Sequence, residues 1–240
     1  MYEGYSVILI APAYNEELKI GTVVHRAALD VVDLILVVDD GSTDATASVA
    51  QAAGAEVLSL GRVMGVGAAI RAGFQLARQR KFDIAVVIAG NNKDNPEEIP
   101  RLLAPIVSEG CDFVMGSRYL TGGLSGGDIP IYRRFATRLH PWFVGLICHT
   151  RLTESTNGFR SMRLSILDDP RIRLDQSWLD HYELEVYLLI KILQLGYNFK
   201  EVPVSKIYPP RQIGQTKMRP FIDWWKMLRP LWLLGLHLKD

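Results

Sequence analysis

The chain has 240 residues, 48% of them hydrophobic, and 27 Lys and Arg against 26 Asp and Glu give a formal net charge of +1. That length and apolar content suit one α/β domain with a full core, and the near-neutral charge excludes nucleic-acid binding driven by bulk electrostatics. The only cysteines, Cys111 and Cys148, read as two buried free thiols of a reducing compartment rather than a disulfide framework.

Met1-Tyr2-Glu3-Gly4 has no basic region and no long apolar core, so no signal peptide is expected. No run of about 18 apolar residues reads as a transmembrane helix. Val7 to Ala11 reads as a strand running into Pro12-Ala13-Tyr14-Asn15-Glu16-Glu17, with Asn15 placed to cap a helix spaced from Glu17 to Leu29. Leu34-Ile35-Leu36-Val37-Val38 is a β-branched run, a buried strand. It enters Asp39-Asp40-Gly41-Ser42-Thr43-Asp44, where Asp44 is the N-cap of an Ala-rich helix. Ligands of open α/β sheets sit beyond the carboxyl ends of strands. Asp39 and Asp40 are therefore placed at a rim where their oxygens can accept hydrogen bonds from a ribose or a base; a helix-capping turn with a solvated acidic pair is the other reading.

Ala55 to Leu60 reads as a third strand, and Gly65-Val66-Gly67 opens a helix to about Arg80. Position 70 is Ile, where a dinucleotide fingerprint needs a third Gly, so these glycines are read as allowing close helix–sheet packing. Phe82 to Ile88 is apolar enough for a central strand, and Pro96-Glu97-Glu98 starts the next helix. Asp112 to Met115 is a fifth strand, ending in Gly116-Ser117-Arg118-Tyr119, and Gly122, Gly123, Gly126 and Gly127 read as a mobile loop beside a site. A helix over Ile131 to His149 follows, then a return to the sheet within Phe159 to Leu167 and a long helix, Leu179 to Leu195, holding Glu183 and Glu185. Phe199 to Val204 is a strand whose Pro203 points to a sheet edge, and Phe221 to Leu238 closes the chain as a helix broken at Pro230. Such alternation predicts a mostly parallel sheet covered by helices on both faces.

Pro12-x-Tyr14-Asn15-Glu16 on the first strand, followed by Val37-Val38-Asp39-Asp40-Gly41-Ser42-Thr43-Asp44 on the second, resembles the family 2 glycosyltransferases of GT-A (Rossmann-like) fold. Within them it is similar to the dolichyl-phosphate mannose synthase and polyprenyl-phosphate branch. The resemblance runs from about residue 5 to 217. It implies a glycosyltransferase domain over 1–217 and a C-terminal amphipathic helical tail over 218–240. It also implies a sugar-nucleotide site in which Pro12 and Tyr14 flank the base while Glu16, Asp39 and Asp40 take ribose and base edges. The donor is expected to be a nucleotide diphosphate sugar, UDP ahead of GDP, used with inversion in one displacement.

Family members usually hold Mg²⁺ or Mn²⁺ with Asp-x-Asp at the end of the fourth strand. Here the trailing Pro96-Glu97-Glu98-Ile99-Pro100 fixes the register, and Ala89 and Asn91 stand where the two Asp residues would be. Hard divalent cations want carboxylate oxygens, so the metal site is weakened, no cofactor is certain, and Asn91 is left as a nucleotide contact. Lys93 stands where the family usually has an uncharged polar residue, and it is expected to do part of the metal's work on the diphosphate. The alternative is a solvent-facing Lys93 with a weak metal on Asp94 or Asn91.

Arg118, in Gly-Ser-Arg-Tyr, matches a family motif beside the donor, and Arg133 and Arg134 sit where the polyprenyl-phosphate enzymes tend to have a basic residue. Glu154-Ser155-Thr156-Asn157-Gly158-Phe159-Arg160 resembles the family's Asp-x-Thr-Ser-Gly-Phe-Arg. Glu154 would deprotonate an acceptor hydroxyl; with a phosphate acceptor, already ionised, it would orient the acceptor or a basic partner. The plainer reading pairs it with Arg160 or Arg151. Arg211-Gln212-Ile213-Gly214-Gln215-Thr216-Lys217 fits Arg-x-x-Gly-x-Ser/Thr-Lys, typical of the branch, and implies that Arg211 and Lys217 clamp the acceptor phosphate. Trp224, Trp225 and Trp232 among Lys and Arg read as an interfacial helix, or as a helix packed on the domain or on a homodimer partner. The expected activity is transfer to a polyprenyl phosphate by a cytoplasmic protein peripheral to the membrane. Transfer to a hydroxyl, and a non-catalytic sugar-nucleotide-binding protein, are the rivals.

Overall fold

The computed structural model describes residues 1–27, 30–209, 222–236 and 238. Strands β1 (Val7–Ala13), β2 (Leu34–Asp39), β3 (Glu56–Ser59) and β4 (Ile84–Val87) run parallel to one another. Strands β5 (Phe113–Ser117) and β8 (Phe199–Pro203) also pair in parallel. Between β4 and β5 lies β7 (Arg160–Arg163), antiparallel to both, which gives a seven-stranded sheet of order β3-β2-β1-β4-β7-β5-β8. Strands β6 (Leu124–Gly127) and β9 (Ser205–Tyr208) form a separate parallel pair.

The strand period of two divides the core between the sheet's faces. Ile8, Ile10, Leu36 and Val38 pack under α3 (Val66–Gln79) and α6 (Glu183–Gln194), with α5 (Ile131–Cys148) and α7 (Ile222–Gly235) completing that layer. Val7, Leu9, Ala11 and Val37 pack under α1 (Ile20–Arg26), α2 (Thr46–Ala52) and α4 (Ile99–Ser108). Burial of each such aliphatic side chain contributes about 1.5–3 kcal/mol before entropy is counted, and all four residues of β4 are buried, as a central strand requires.

Several expectations are corrected. Asn15 caps no helix: it has φ 50°, its Oδ1 accepts from Thr43 N at 2.8 Å, and α1 begins at Ile20. Asp44 stands two residues ahead of α2 and accepts from Thr46 N at 3.0 Å. Gly65 and Gly67 do not face the sheet. A Cβ on Gly67 would lie 2.0 Å from Leu179 O, so these glycines admit the Leu179–His181 turn, and Gly73, 2.5 Å from Ile10 Cγ2 by the same measure, brings α3 onto β1. Gly126 and Gly127 belong to β6 rather than to a loop. α7 runs through Pro230; the missing hydrogen bond is offset by packing, since Pro230, Leu231 and Leu234 are all buried. The 217/218 domain boundary lies outside the described residues.

Candidate active site

A cavity of about 930 Å³ sits beyond the carboxyl ends of β1, β4 and β5, with α5 and α7 as one wall. Pro12 enters it from the end of β1 and Tyr14 and Glu16 after that strand, Asn91 and Lys93 after β4, Arg118 after β5 and Arg133 from α5. The sequence-predicted residues are thus largely gathered in one place.

The loop after β4 is fixed from three sides. Gly90 N donates to Pro12 O at 3.1 Å, and a Cβ there would meet Ala13 Cβ and Ile20 Cδ1 at 3.0 Å, so the loop lies hard against the end of β1. Lys93 N donates to Asn91 Oδ1 at 3.2 Å, and Lys93 O accepts from Ile207 N at 2.7 Å. Asp94 does not face outward: it is buried, and both its oxygens accept from Lys206 Nζ at 2.7 Å, while Lys206 also donates to Asn157 Oδ1 at 2.8 Å. Lys93 is not solvent-facing either. Its Nζ lies 5.1 Å from the Tyr208 ring centroid, with the Arg133 guanidinium 5.4 Å from the same ring. Burial first, then the Arg133 and Lys206 charges, push the Lys93 ammonium down to about 7.

Arg118 is buried at the end of β5 and donates through Nε to Glu154 Oε2 at 2.6 Å, with Tyr208 OH and the Thr156 hydroxyl each at 3.2 Å from its other nitrogens. The other Glu154 oxygen accepts from Ser155 N at 3.0 Å and from Thr156 N and Oγ1 at 2.8 Å. Glu154 has no exposed surface. Burial opposes its charge, but Arg118 and the Thr156 bonds outweigh burial and hold its carboxyl below the ordinary value. The pairing with Arg160 or Arg151 is therefore corrected to Arg118, and Glu154 does not line the cavity as a base for a hydroxyl would. Its place is behind Arg118, as the group that positions it. Arg160 instead pairs with Glu185 at 3.3 Å.

The two carboxylates at the end of β2 are placed differently from one another. The Asp39 carboxylate accepts from Ser42 N at 3.1 Å and Ser59 Oγ at 3.2 Å and does not reach the cavity wall. Asp40 lines the cavity, and it accepts from Met64 N at 2.6 Å and Gly65 N at 2.9 Å, so it holds the turn that leads into α3; burial pushes its carboxyl up despite those amides. Glu16 faces Lys19 at 2.5 Å. Arg134 is exposed on α5 and off the cavity, and Arg211 and Lys217 lie outside the described residues. The sequence reading missed Lys206, whose partner is 112 positions away. It also missed His140, buried on α5, whose Nε2 meets Met227 O at 3.1 Å and whose Nδ1 meets Ser155 Oγ at 2.7 Å. His140 ties both wall helices to the Glu154 loop.

Residues 8–168 match the family model described as glycosyl transferase family 2. The chain belongs to glycosyl transferase family 2. It is a glycosyltransferase. The undecaprenyl-phosphate mannosyltransferase of Micrococcus luteus is 31% identical over 221 residues, covering 88% of this chain and 87% of that one. The dolichyl-phosphate hexose transferase of Haloferax volcanii is 30% identical over 226 residues, 92% and 90% of the two chains. Among solved structures, glucosyl-3-phosphoglycerate synthase from Mycobacterium tuberculosis with Mn²⁺, UDP and glucosyl-3-phosphoglycerate superimposes with a TM-score of 0.67 at 23% identity, over 99% of this chain and 82% of that one. That likeness establishes the GT-A fold of this glycosyltransferase.

That neighbour holds a divalent ion with its UDP, so the fit of such an ion to the residues of this family 2 member can be tested. The loop that would hold it offers the Ala89 methyl, the Asn91 amide and the Lys93 ammonium. The nearby carboxylates are engaged: Asp94 with Lys206, Asp40 with the Met64 and Gly65 amides, Glu16 with Lys19. Among the described residues no cluster of three His, Cys, Asp or Glu is placed to hold a metal. This donor set does not fit a hard cation that asks for carboxylate oxygen.

Proposed function

We propose that this glycosyltransferase moves a sugar from a nucleotide diphosphate sugar to a polyprenyl phosphate at a membrane face, with UDP ahead of GDP as the carrier. An acceptor phosphate oxygen forms the new bond to the anomeric carbon as the bond to the donor's β-phosphate oxygen breaks. The electron pair leaves on the nucleoside diphosphate, and attack from the opposite face inverts the centre. A phosphate acceptor is already ionised, so no base is needed, in keeping with a Glu154 spent on Arg118. Arg118, fixed and permanently charged, is directed at developing negative charge. The Micrococcus and Haloferax relatives carry names that specify polyprenyl or dolichyl phosphate acceptors.

The observation that carries the acceptor class is the wall made by α5 and α7. Ile131, Phe135, Leu139, Trp142 and Leu146 follow one another at helical spacing on α5 and are exposed, Phe135 by 76% and Trp142 by 60%. Trp225, Leu228 and Trp232 do the same on α7, with Leu236 just past its end, and the Tyr132 ring lies tilted against Trp224, centroids 5.1 Å apart, where the helices meet. Leu139 and Leu228 belong both to this outer surface and to the cavity lining. An apolar face this broad, with Arg134 and Arg138 exposed beside it, suits the headgroup boundary of an anionic bilayer. Among the described residues no helix is long and apolar enough to cross a membrane, so the proposed attachment is peripheral. Incubation with UDP- and GDP-sugars and polyprenyl phosphate in vesicles is expected to give an inverted sugar–phosphate lipid. Transfer to a soluble hydroxyl, with none to the lipid phosphate, would overturn the reading.

A further inference from the structure

The loop after β4 does more than lack metal ligands. It replaces two carboxylates with a methyl and an amide and adds a cation in the same five residues, Ala89 to Lys93. Two Asp residues without an ion between them would repel a diphosphate, so their loss and the gain of an ammonium act in the same direction. We propose that the Lys93 ammonium stands in place of the divalent cation on the donor's diphosphate, making this a metal-independent member of its fold. The proposal rests on the donor class put forward above and goes beyond it.

The geometry is that of a fixed charge. The Lys93 main chain is bonded on both sides, to Asn91 Oδ1 and to Ile207 N, and Asn92 turns the loop at φ 54°. The next residue is locked by the buried Asp94–Lys206 pair, itself bonded to Asn157 in the loop that carries Glu154. Among the described residues no carboxylate lies within ion-pair distance of Lys93 Nζ, although Glu16, Asp40 and Glu185 line the same cavity and Lys19 and Arg160 have acidic partners. Lys93 and Arg133 share the Tyr208 ring, which brings two cationic side chains to one region of the cavity. A half-buried ammonium beside a guanidinium, with no carboxylate of the described residues in ion-pair distance, is an arrangement completed by an anion, and the depressed ammonium of Lys93 agrees with it.

Calorimetric titration of the full chain with UDP and GDP tests this, in excess chelator and again with Mg²⁺ or Mn²⁺. Wild type is expected to bind one of the two with the same affinity, within twofold, in both conditions. Lys93→Gln is expected to lose tenfold or more in chelator, with Lys93→Arg retaining most of the affinity. The triple variant Ala89→Asp, Asn91→Asp, Lys93→Gln is expected to bind only when metal is added. Wild-type binding abolished by chelator and restored by metal would overturn the substitution while leaving the donor class intact, as would Lys93→Gln with unchanged affinity. Failure of both nucleotides in every condition would overturn the donor class, and the proposal with it.

Discussion

The buried ion pair behind the cavity makes the most demanding prediction. Arg118 Nε and Glu154 Oε2 are 2.6 Å apart with side-chain exposures of 3% and 0%, so neither charge has water to fall back on. Glu154→Ala leaves the guanidinium with the Tyr208 and Thr156 hydroxyls and the Tyr119 ring, none of them charged. Removing one partner of a buried pair costs about 3–5 kcal/mol. The Ser155 and Thr156 amides also lose their acceptor, at about 1 kcal/mol for each amide that stays buried. Against a domain stability of about 5–15 kcal/mol the variant folds but is marginal. With a urea slope of about 3 kcal/mol per molar, a loss near 5 kcal/mol moves the midpoint down by about 1.7 M. Arg118→Met with Glu154→Gln, which removes both charges together, is expected to cost less than the sum of the single changes. The sign with pH follows from the lowered carboxyl: the pair's contribution is complete above the unfolded value near 4.5 and is lost as pH falls through the folded one. Glu154→Asp should keep the charge and most of the transfer rate. A Glu154→Ala chain within 1 kcal/mol of wild type, or a Glu154→Asp chain that is equally stable yet slower by orders of magnitude, would refute the positioning role and return Glu154 to the chemistry.

Lys93→Met is expected to stabilise the ligand-free protein. Lys93 holds its proton up to about 10.5 in the unfolded chain but only to about 7 in the fold. The unfolded state therefore binds more protons between those values, and wild-type stability climbs with pH across that window. The gain of Lys93→Met is largest below pH 7, at about 2–4 kcal/mol once partial solvent access is allowed for, and disappears by about pH 10.5; a gain that does not change with pH, by urea unfolding at pH 6.5 and 9.5, would refute it. Gly67→Ala pushes a Cβ to 2.0 Å from the Leu179 carbonyl oxygen, where only main chain can move, and should cost about 3 kcal/mol; Gly54→Ala, with no atom within 4 Å, serves as the comparison for a glycine strained only by its φ of +101°. Trp142→Ser and Trp232→Ser together should abolish flotation with anionic vesicles without lowering the melting temperature. Wild type that ignores vesicles and elutes as a dimer would assign the same face to a second copy of the chain.

Much of this was legible because it is local. The β-branched runs of β1, β2 and β4 and the polar turns after them are contiguous, and Arg118 and Asn91 follow strands that announce themselves. β7 is different. Arg160-Ser161-Met162-Arg163 carries two arginines, and only the fold shows one lying over Phe113 and bonded to Glu185, the other over Tyr5. Its direction is set by partners on both sides, which no four-residue pattern contains. The Asp94–Lys206 pair and the His140 link join residues far apart in the chain, so nothing near either member signals the other. On α5 apolar and basic residues fall at mixed spacing in the sequence, and which stripe faces outward depends on where α7 lands.

The inserted strand has a consequence for how the protein is made. β4 is paired on one side by β1, which has already been synthesised, and on the other only by β7. At about 5–20 residues per second, the stretch of about 75 residues from β4 to β7 takes several seconds to emerge. Through that interval the nascent chain carries Ile84-Ala85-Val86-Val87 as an open apolar edge, and β5, when it emerges, has no place to add until β7 has come back to meet it. An open edge of that composition invites pairing with another chain. The segment that ends the exposure is the one that begins at Glu154, so the pairing of β4 and the ion pair of Arg118 are made in the same event, and a polypeptide stopped short of it is left with neither.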